Sequence, residues 1–599
     1  MSGPSRQSAD RSGLSRITRH VPVLAWLGTY RRADLPGDLI AGTVVAIMLV
    51  PQGMAYALLA GMPPEVGLYA SIAPPLIYAL FGSSRTLAVG PVAIASLMTA
   101  TAIAGLGGAA AALPGPVLAL LLAAMSGTIL LAMGLFRLGF LTNFLSHPVI
   151  SGFTSAAAII IIVSQLKQLL GLDVPKSHGF VDGLLGTAAH LDSVNATTAA
   201  IGVGAILILL FARRRLVSLL AGLGLPHAVA AAIGKGGPII AALAGLGAVV
   251  AFDLDRNAGV RVVGAIPAGL PDFTMPALDP VLIRELLPAA LLIALIGFLE
   301  SVSVARALAA KRRQKIDPDQ ELLGLGMANL GAAFSGGYPV AGGFGRSVVN
   351  FSAGANTPLA SIVTAVLVAL VVGFFTPVLH RLPIAVLAAI IVVAVASLID
   401  VRSLLRAWRY NRADAAGLAV TFAAVLAAGI EIGIAAGIAL SLALYLWRTS
   451  RPHMAVVGRL GDSEHFRNVL RHPVRLYPGV QFVRVDESLY FANTAYLEDR
   501  LLAAAVEDPE IEHLVLICSA VNFIDGSALE SLEQLVHQLR EMGVTLHLAE
   551  VKGPVMDRLE RGRFVADMAP GRIFLSTHDA AVALAGGERR PDARGLTGK

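Results

Sequence analysis

Residues 38–56 read DLIAGTVVAIMLVPQGMAY, an apolar helical pattern of membrane length with Pro51-Gln52 two-thirds of the way along. Proline removes one helix hydrogen bond and clashes with the preceding turn, so the stretch predicts a helix broken at Pro51. In lipid, backbone groups freed by a break need partners in protein or in a wet cavity, and breaks that recur in two halves of a chain mark transport sites. A second interrupted stretch, Gly342-Gly343-Phe344-Gly345-Arg346-Ser347-Val348-Val349-Asn350, lies far downstream. Together they predict a carrier.

Composition points the same way. Of 599 residues, 56% are hydrophobic and 14% charged, against roughly 25% charged in an ordinary soluble domain. The net charge of +6 sits mainly in short loops, where it sets orientation, which argues against a nucleic-acid partner. Cys518 is the single cysteine, so an internal disulfide and a multi-cysteine metal site are excluded, and its setting HLVLICSA predicts an inert thiol in a strand. The polar, basic start MSGPSRQSADRSGLSRITRH leads into no apolar core, and no cleavable signal peptide is expected. Walker A, HExxH and GxSxG patterns are absent, and the glycine-rich stretch 335–345 lacks the Lys-Ser/Thr ending of a P-loop. The chain is therefore not expected to be an enzyme or to hold a cofactor or metal. Its energy would come from an ion gradient, H+ or Na+, or from counter-transport.

A spanning helix needs about 20 apolar residues, and by that rule roughly fourteen segments, some short, fill residues 37–450. The stretch Gly67 to Phe81 is weakened by Pro74-Pro75, and Gly90 to Gly105 opens on Gly-Pro. Basic clusters at Arg213-Arg214-Arg215, at Lys311-Arg312-Arg313 with Lys315, and at Arg402, Arg406, Arg409 and Arg412 fall on one side with the basic N-terminal segment, residues 1–36, if the pieces near Gly90 and Phe344 each count as a crossing. That side is expected to be cytoplasmic. The loop from Asp253 to Arg284 lands outside, although Arg256, Arg261 and Arg284 fit it poorly. Residues 451–585 change character to alternating strand and helix patterns, VQFVRV, Ala495–Val506, HLVLICS, Gly526–Met542, VTLHLAEV and Val555–Arg561, a linker and a small α/β domain. Residues 586–599 are expected to be a disordered tail.

Three places carry chemistry. Gln52 and Tyr56, four residues apart, share a helical face and can line a cavity, or Gln52 can bond a neighbouring helix at a plain kink. The pieces opened by Gly90-Pro91 and by Gly343-Phe344 resemble half-helices that start inside the membrane. A helix N-terminus presents unpaired N–H groups and a positive dipole end, so two of them facing each other suit an anion. Arg346 adds a full charge there, unless it is a structural or snorkelling arginine. Glu300 stands inside LPAALLIALIGFLESVSVARALAAKRR, where a charged side chain costs on the order of 2.5 to 3.5 kcal/mol by insertion scales. It can carry a proton or balance a cation beside an anionic solute, or form a structural pair with Arg306 or Arg346. Lys167 and Glu431 sit near segment ends and read as interfacial.

DLIAGTVVAIMLVPQGMAYALLAG, followed in order by MPPEVGLY, FGSSRTLAVGP and YPVAGGFGRSVVN, resembles the sulfate permease (SulP, solute carrier 26) family, and the C-terminal domain resembles its STAS domain. The resemblance implies an all-α polytopic membrane domain of about fourteen segments in two inverted repeats of about seven, arranged as a core and a gate, followed by a small cytoplasmic α/β STAS domain. It implies a homodimer in the inner or plasma membrane with both termini cytoplasmic. Carried over, Gln52 and Tyr56, Val92 and Ala93, and Phe344, Gly345, Arg346 and Ser347 surround the anion, with Glu300 as the ion-coupling position. Two positions depart from the family pattern. Many relatives have serine where Gly345 stands, which weakens the expectation of sulfate, and the phospho-acceptor position of the STAS loop is Gly526, leaving Asp525 and Ser527 as the regulatory candidates. Asp525 reads first as an ordinary N-cap for the following helix.

The expected function is proton-coupled sulfate uptake by alternating access between core and gate. Bicarbonate or C4-dicarboxylate symport and an uncoupled anion exchanger or channel are the alternatives. A nucleobase carrier would place acidic or amide groups where Arg346 stands, and the C-terminal domain could instead be a tethered module for a cytoplasmic protein partner.

Overall fold

Runs of Leu, Ala, Ile and Val in lipid leave the backbone one economical solution, internal helical hydrogen bonding. The computed structural model describes residues 22–107, 113–143, 147–173, 180–225, 230, 233–234, 236–267 and 269–584. The basic segment before residue 22 and the expected disordered tail lie outside the described residues. The first half of the membrane domain contains α1 (Leu35–Leu59), the short pair α2 (Pro64–Tyr69) and α3 (Ala73–Phe81), strand β1 (Val89–Gly90), α4 (Ala93–Ala104), α5 (Gly115–Leu135), α6 (His147–Leu170), α7 (Ala196–Phe211) and α8 (Gly237–Phe252). The second contains α9 (Pro280–Lys311), α10 (Pro318–Phe334), strand β2 (Ala341–Gly342), α11 (Phe344–Ser352), α12 (Leu359–Phe374), α13 (Ile384–Val395), an amphipathic helix Val401–Tyr410, α14 (Arg412–Ala428) and α15 (Ile430–Ser450). Among the described residues seven helices are long and apolar enough to cross a membrane, and α4, α8 and α12 are shorter apolar helices.

The expected break at Pro51 is corrected: α1 is one helix with Pro51 inside it. A proline forfeits a single donor, and α1 is held on its course by close neighbours. A Cβ on Gly53 would stand 3.0 Å from the carbonyl oxygen of Gly67 in α2. The real interruptions are the two half-helices, α4 and α11.

Counting α2 with α3 as one crossing gives seven segments in each half, and their packing repeats between halves. The pairing of α1 with α12 has its counterpart in α9 with α5, α1 with α11 in α9 with α4, and α5 with α10 in α12 with α3. These helices form a core. A second group, the gate, is built where α6 packs on α13 and α14, and α7 on α13 and α8. Of the poorly fitting basic residues of the loop after α8, Arg261 pairs with Asp173 at 3.1 Å, and Arg381, just before α13, bridges Asp253 and Asp255 at 2.5 Å each. Hydrogen bonding to Arg381 holds the Asp255 carboxyl below the usual range.

Residues to Ile438 form one compact unit and those from Ala439 a second. The C-terminal unit has a six-stranded sheet with order β4-β3-β5-β6-β7-β8, in which β3 (Met454–Arg459), β4 (Phe466–Asn468), β5 (Val480–Val485), β6 (His513–Ile517), β7 (Thr545–Ala549) and β8 (Ile573–Phe574) take part. Pairing is antiparallel from β4 to β5 and parallel from β5 to β8. Helices α16 (Thr494–Glu507), α17 (Gly526–Glu541), α18 (Gly553–Arg561) and α19 (Thr577–Leu584), with a short turn of helix Phe564–Asp567, belong to the same unit. Cys518 is buried just after β6, and burial pushes its thiol up to about 12.

Candidate functional site

The site is built where two chain segments cross the middle of the core in opposite directions. β1 and β2 pair antiparallel, Val89 with Gly342 and Gly90 with Ala341, and each strand runs directly into a half-helix. Val92 occupies the cap position of α4 and Gly343 that of α11, and neither helix start has a side-chain cap. The first N–H groups of both helices therefore lack intrahelical acceptors at the positive ends of their dipoles.

Hydroxyl and amide side chains hold this crossing in register. The Ser301 hydroxyl accepts from Gly342 N–H at 2.8 Å, and Ser347 accepts from Ala88 N–H at 2.9 Å while donating to the Gly343 carbonyl at 2.7 Å. Asn350 donates to Thr86 O at 3.0 Å. Asn329 clasps Val340 with two bonds, accepting from its N–H at 2.9 Å and donating to its carbonyl at 3.0 Å. Ser96 and Tyr338 meet through their hydroxyls at 2.9 Å. Residue-by-residue reading missed Ser301, Asn329, Tyr338 and Ser96, although a polar group mid-way along an apolar segment was the available signal.

Arg346 is 3% exposed and ties the two half-helices together: Nη1 donates to the Pro91 carbonyl at 2.5 Å. Its Nε and Nη2 are buried with no hydrogen-bond partner among the described residues. Nη2 lies against the backbone of the crossing, since a Cβ on Gly343 would stand 3.0 Å from it and one on Gly90 3.6 Å. Tyr56, Tyr338 and Glu300 lie within electrostatic range of the guanidinium. Among the described residues no ion pair joins Glu300 to Arg306 or Arg346. A buried cation with two unused donors is costly unless an acceptor joins it.

A cavity of about 180 Å³ opens beside this cluster, lined by Ile94, Glu300 and Phe344 from the core and by Phe153, Thr154 and Ile434. Phe344 and Gly345 are exposed, and a Cβ on Gly345 would meet nothing. Gln52, Tyr56, Val92, Ala93 and Ser347 are buried, and Gln52 Oε1 also has no partner. Of the residues expected around an anion, Phe344 lines the cavity with Glu300. Arg346 lies behind it between the helix starts, and Ser347 is committed to bracing the backbone. In the C-terminal unit, both carboxylate oxygens of Asp525 are engaged by backbone N–H groups, Oδ1 by Ala528 at 2.8 Å and Oδ2 by Phe491 at 2.9 Å. Ser527 is exposed on the first turn of α17.

Comparison with known proteins adds independent findings. Residues 35–421 match the model of the sulfate permease family and residues 473–580 that of the STAS domain. Probable sulfate transporter 4.2 of Arabidopsis thaliana is 37% identical over 572 residues, 93% of this chain and 82% of that protein. A solved structure of SLC26A9 superposes with a TM-score of 0.87 at 22% identity, covering 97% of this chain and 94% of that one. The transmembrane domain of the cyanobacterial bicarbonate transporter BicA gives 0.56 at 24% identity, covering 69% and 98%. The two structures speak for the fold.

Proposed function

The chain belongs to the sulfate permease family, a family of multi-pass membrane transporters and not of enzymes, and from this premise we propose that it carries sulfate together with a proton. The observation that carries the anion reading is Arg346, buried with two unpartnered donors between two uncapped helix starts. An oxyanion supplies the acceptors that these groups lack, and the relatives named as sulfate transporters support sulfate first. The anion sits between the starts of α4 and α11, near Ala93, Phe344 and Gly345, with Gln52 and Tyr56 closing the pocket. Glu300, on the wall of the cavity, takes the coupling ion, H+ before Na+, so that anion and cation load together.

The position of the cavity supports alternating access. One wall belongs to the core and another to α6 of the gate, so sliding of the core against the gate exposes the site to either side in turn. We place the protein in the inner or plasma membrane as a homodimer with cytoplasmic termini, as the family resemblance implies. Bicarbonate and C4-dicarboxylates are competing cargoes, because helix ends and a guanidinium select charge and size before shape.

The test is uptake into proteoliposomes of labelled sulfate, bicarbonate and fumarate, with and without an inward proton gradient. Sulfate accumulation that collapses when the gradient is dissipated is the expected result. Accumulation of another anion alone overturns sulfate, and passive flux that ignores every gradient overturns coupling.

A further inference from the structure

We propose that the helix Val401–Tyr410 lies in the membrane–water boundary and binds the headgroups of anionic phospholipids. Its sequence, VRSLLRAWRY, was legible only as a basic cluster, but the structure gives it three distinct faces. Ser403 is buried and Leu404 and Ala407 are half-buried, on the side where the helix packs against α14 and α6. Val401, Leu405 and Trp408, at i, i+4 and i+7, form an apolar stripe exposed at 62%, 58% and 64%. Arg402, Arg406 and Arg409 form an exposed row beside that stripe, and Tyr410 and Arg412 extend the exposed surface at its end.

The helix is firmly set. Asp400 caps its start, with Oδ1 accepting from Ser403 N–H at 3.0 Å and Oδ2 from the Ser403 hydroxyl at 2.6 Å. Asn411 N–H bonds back to the Ala407 carbonyl at 2.8 Å and opens α14 directly. Among the described residues the only ion pair on the arginine row is a loose one, Arg406 to Asp400 at 3.8 Å. Arg402 and Arg409 have no ion pair of their own.

An exposed apolar stripe beside a basic row, with Trp and Tyr at its edge, is the pattern of a helix that lies in the plane of a bilayer surface. The apolar stripe enters the acyl boundary while the arginines meet phosphate oxygens, and guanidinium geometry suits that oxyanion. The complementary charge selects acidic over zwitterionic lipid. Because the helix links α13 to α14, both packed on α6, lipid composition would bear on the gate.

Full-length protein in micelles containing equal phosphatidylglycerol and phosphatidylcholine, followed by native mass spectrometry, tests this. The wild type is expected to retain phosphatidylglycerol about a hundredfold over phosphatidylcholine, each of the three arginines adding about fivefold. Arg402→Gln/Arg406→Gln/Arg409→Gln should lose most of that preference, while the corresponding triple lysine variant, which keeps the charge and controls for folding, should keep it. Equal retention of the two lipids by the wild type, or a preference unchanged in the glutamine variant, overturns the proposal. So does disulfide cross-linking between copies of a Trp408→Cys variant, which would put a second copy of the chain on this face.

Discussion

At the start of α17, in the C-terminal unit, Asp525 lends a carboxylate oxygen to the first turn. At the starts of α4 and α11, in the middle of the core, the same position holds Val92 and Gly343, and no side chain reaches the open N–H groups. Asn195 caps α7, Asp279 α9, Asp317 α10 and Asn411 α14 in the same way, whereas α5, α12 and α13 begin at Pro114, Pro358 and Pro383 without a side-chain cap. All these ends carry the same partial positive charge. At the capped ends the chain brings its own oxygen. At α4 and α11 the proposed solute would supply that oxygen, and Arg346, with two donors lacking partners among the described residues, enlarges the demand.

The contrast breaks most directly at Arg346. Arg346→Gln removes the charge and the unused guanidinium donors, and uptake should fall by about 100-fold, the scale of two lost charged hydrogen bonds. Radiolabelled uptake by equal amounts of folded protein checks it, and near-normal uptake would leave the cluster structural. Gly345→Asp turns the second kind of helix end into the first, since a Cβ there meets nothing. The added carboxylate should occupy the start of α11 and weaken anion binding by roughly tenfold or more, read by titration of the purified variant. Glu300→Gln separates solute from coupling ion. Gradient-driven accumulation should vanish while anion affinity changes by less than about threefold, whereas a conductive pore would show unchanged passive flux.

On the other side of the comparison, Asp525→Ala removes a cap with no solute to replace it. The C-terminal unit should lose about 1 kcal/mol of stability, the usual worth of an N-cap, with uptake by the folded protein unchanged. A loss of uptake at preserved stability would give Asp525 a regulatory role. A further test falls on His547, whose burial beside His513 and Arg572 pushes it down to about 4. The unfolded chain then binds the extra proton first, so the folded unit loses stability as pH falls from about 6.5 toward 4. In chemical denaturation across that window, His547→Gln should show a flatter dependence than the wild type.

Much of this was legible in the chain. Gly90-Pro91 and Gly343-Phe344 announced the half-helices, because glycine and proline inside apolar stretches interrupt helices for local reasons. Arg346 and Glu300 stood out because charge in lipid is costly. Pro51 misled, since a proline's lost donor is a local fact while the course of α1 is decided by Gly53 against Gly67, a contact between segments. The bracing by Ser301, Asn329 and Tyr338 depends on which segments cross, so single residues could not reveal it. The helix Val401–Tyr410 hid because its arginines were read for charge alone. In the C-terminal unit, β5, β6 and β7 followed from alternation, whereas β3 and β4 pair antiparallel at the edge and carry weaker patterns.

The central claim is that a small oxyanion is held by the uncapped starts of α4 and α11 together with Arg346. Anomalous diffraction from crystals of the full chain grown with selenate tests it most directly, because selenium marks the anion's position without assumption. A peak within hydrogen-bonding distance of Arg346 and the first N–H groups of both half-helices is the predicted result. A peak elsewhere in the membrane domain, with Arg346 still bonded only to Pro91, would contradict it.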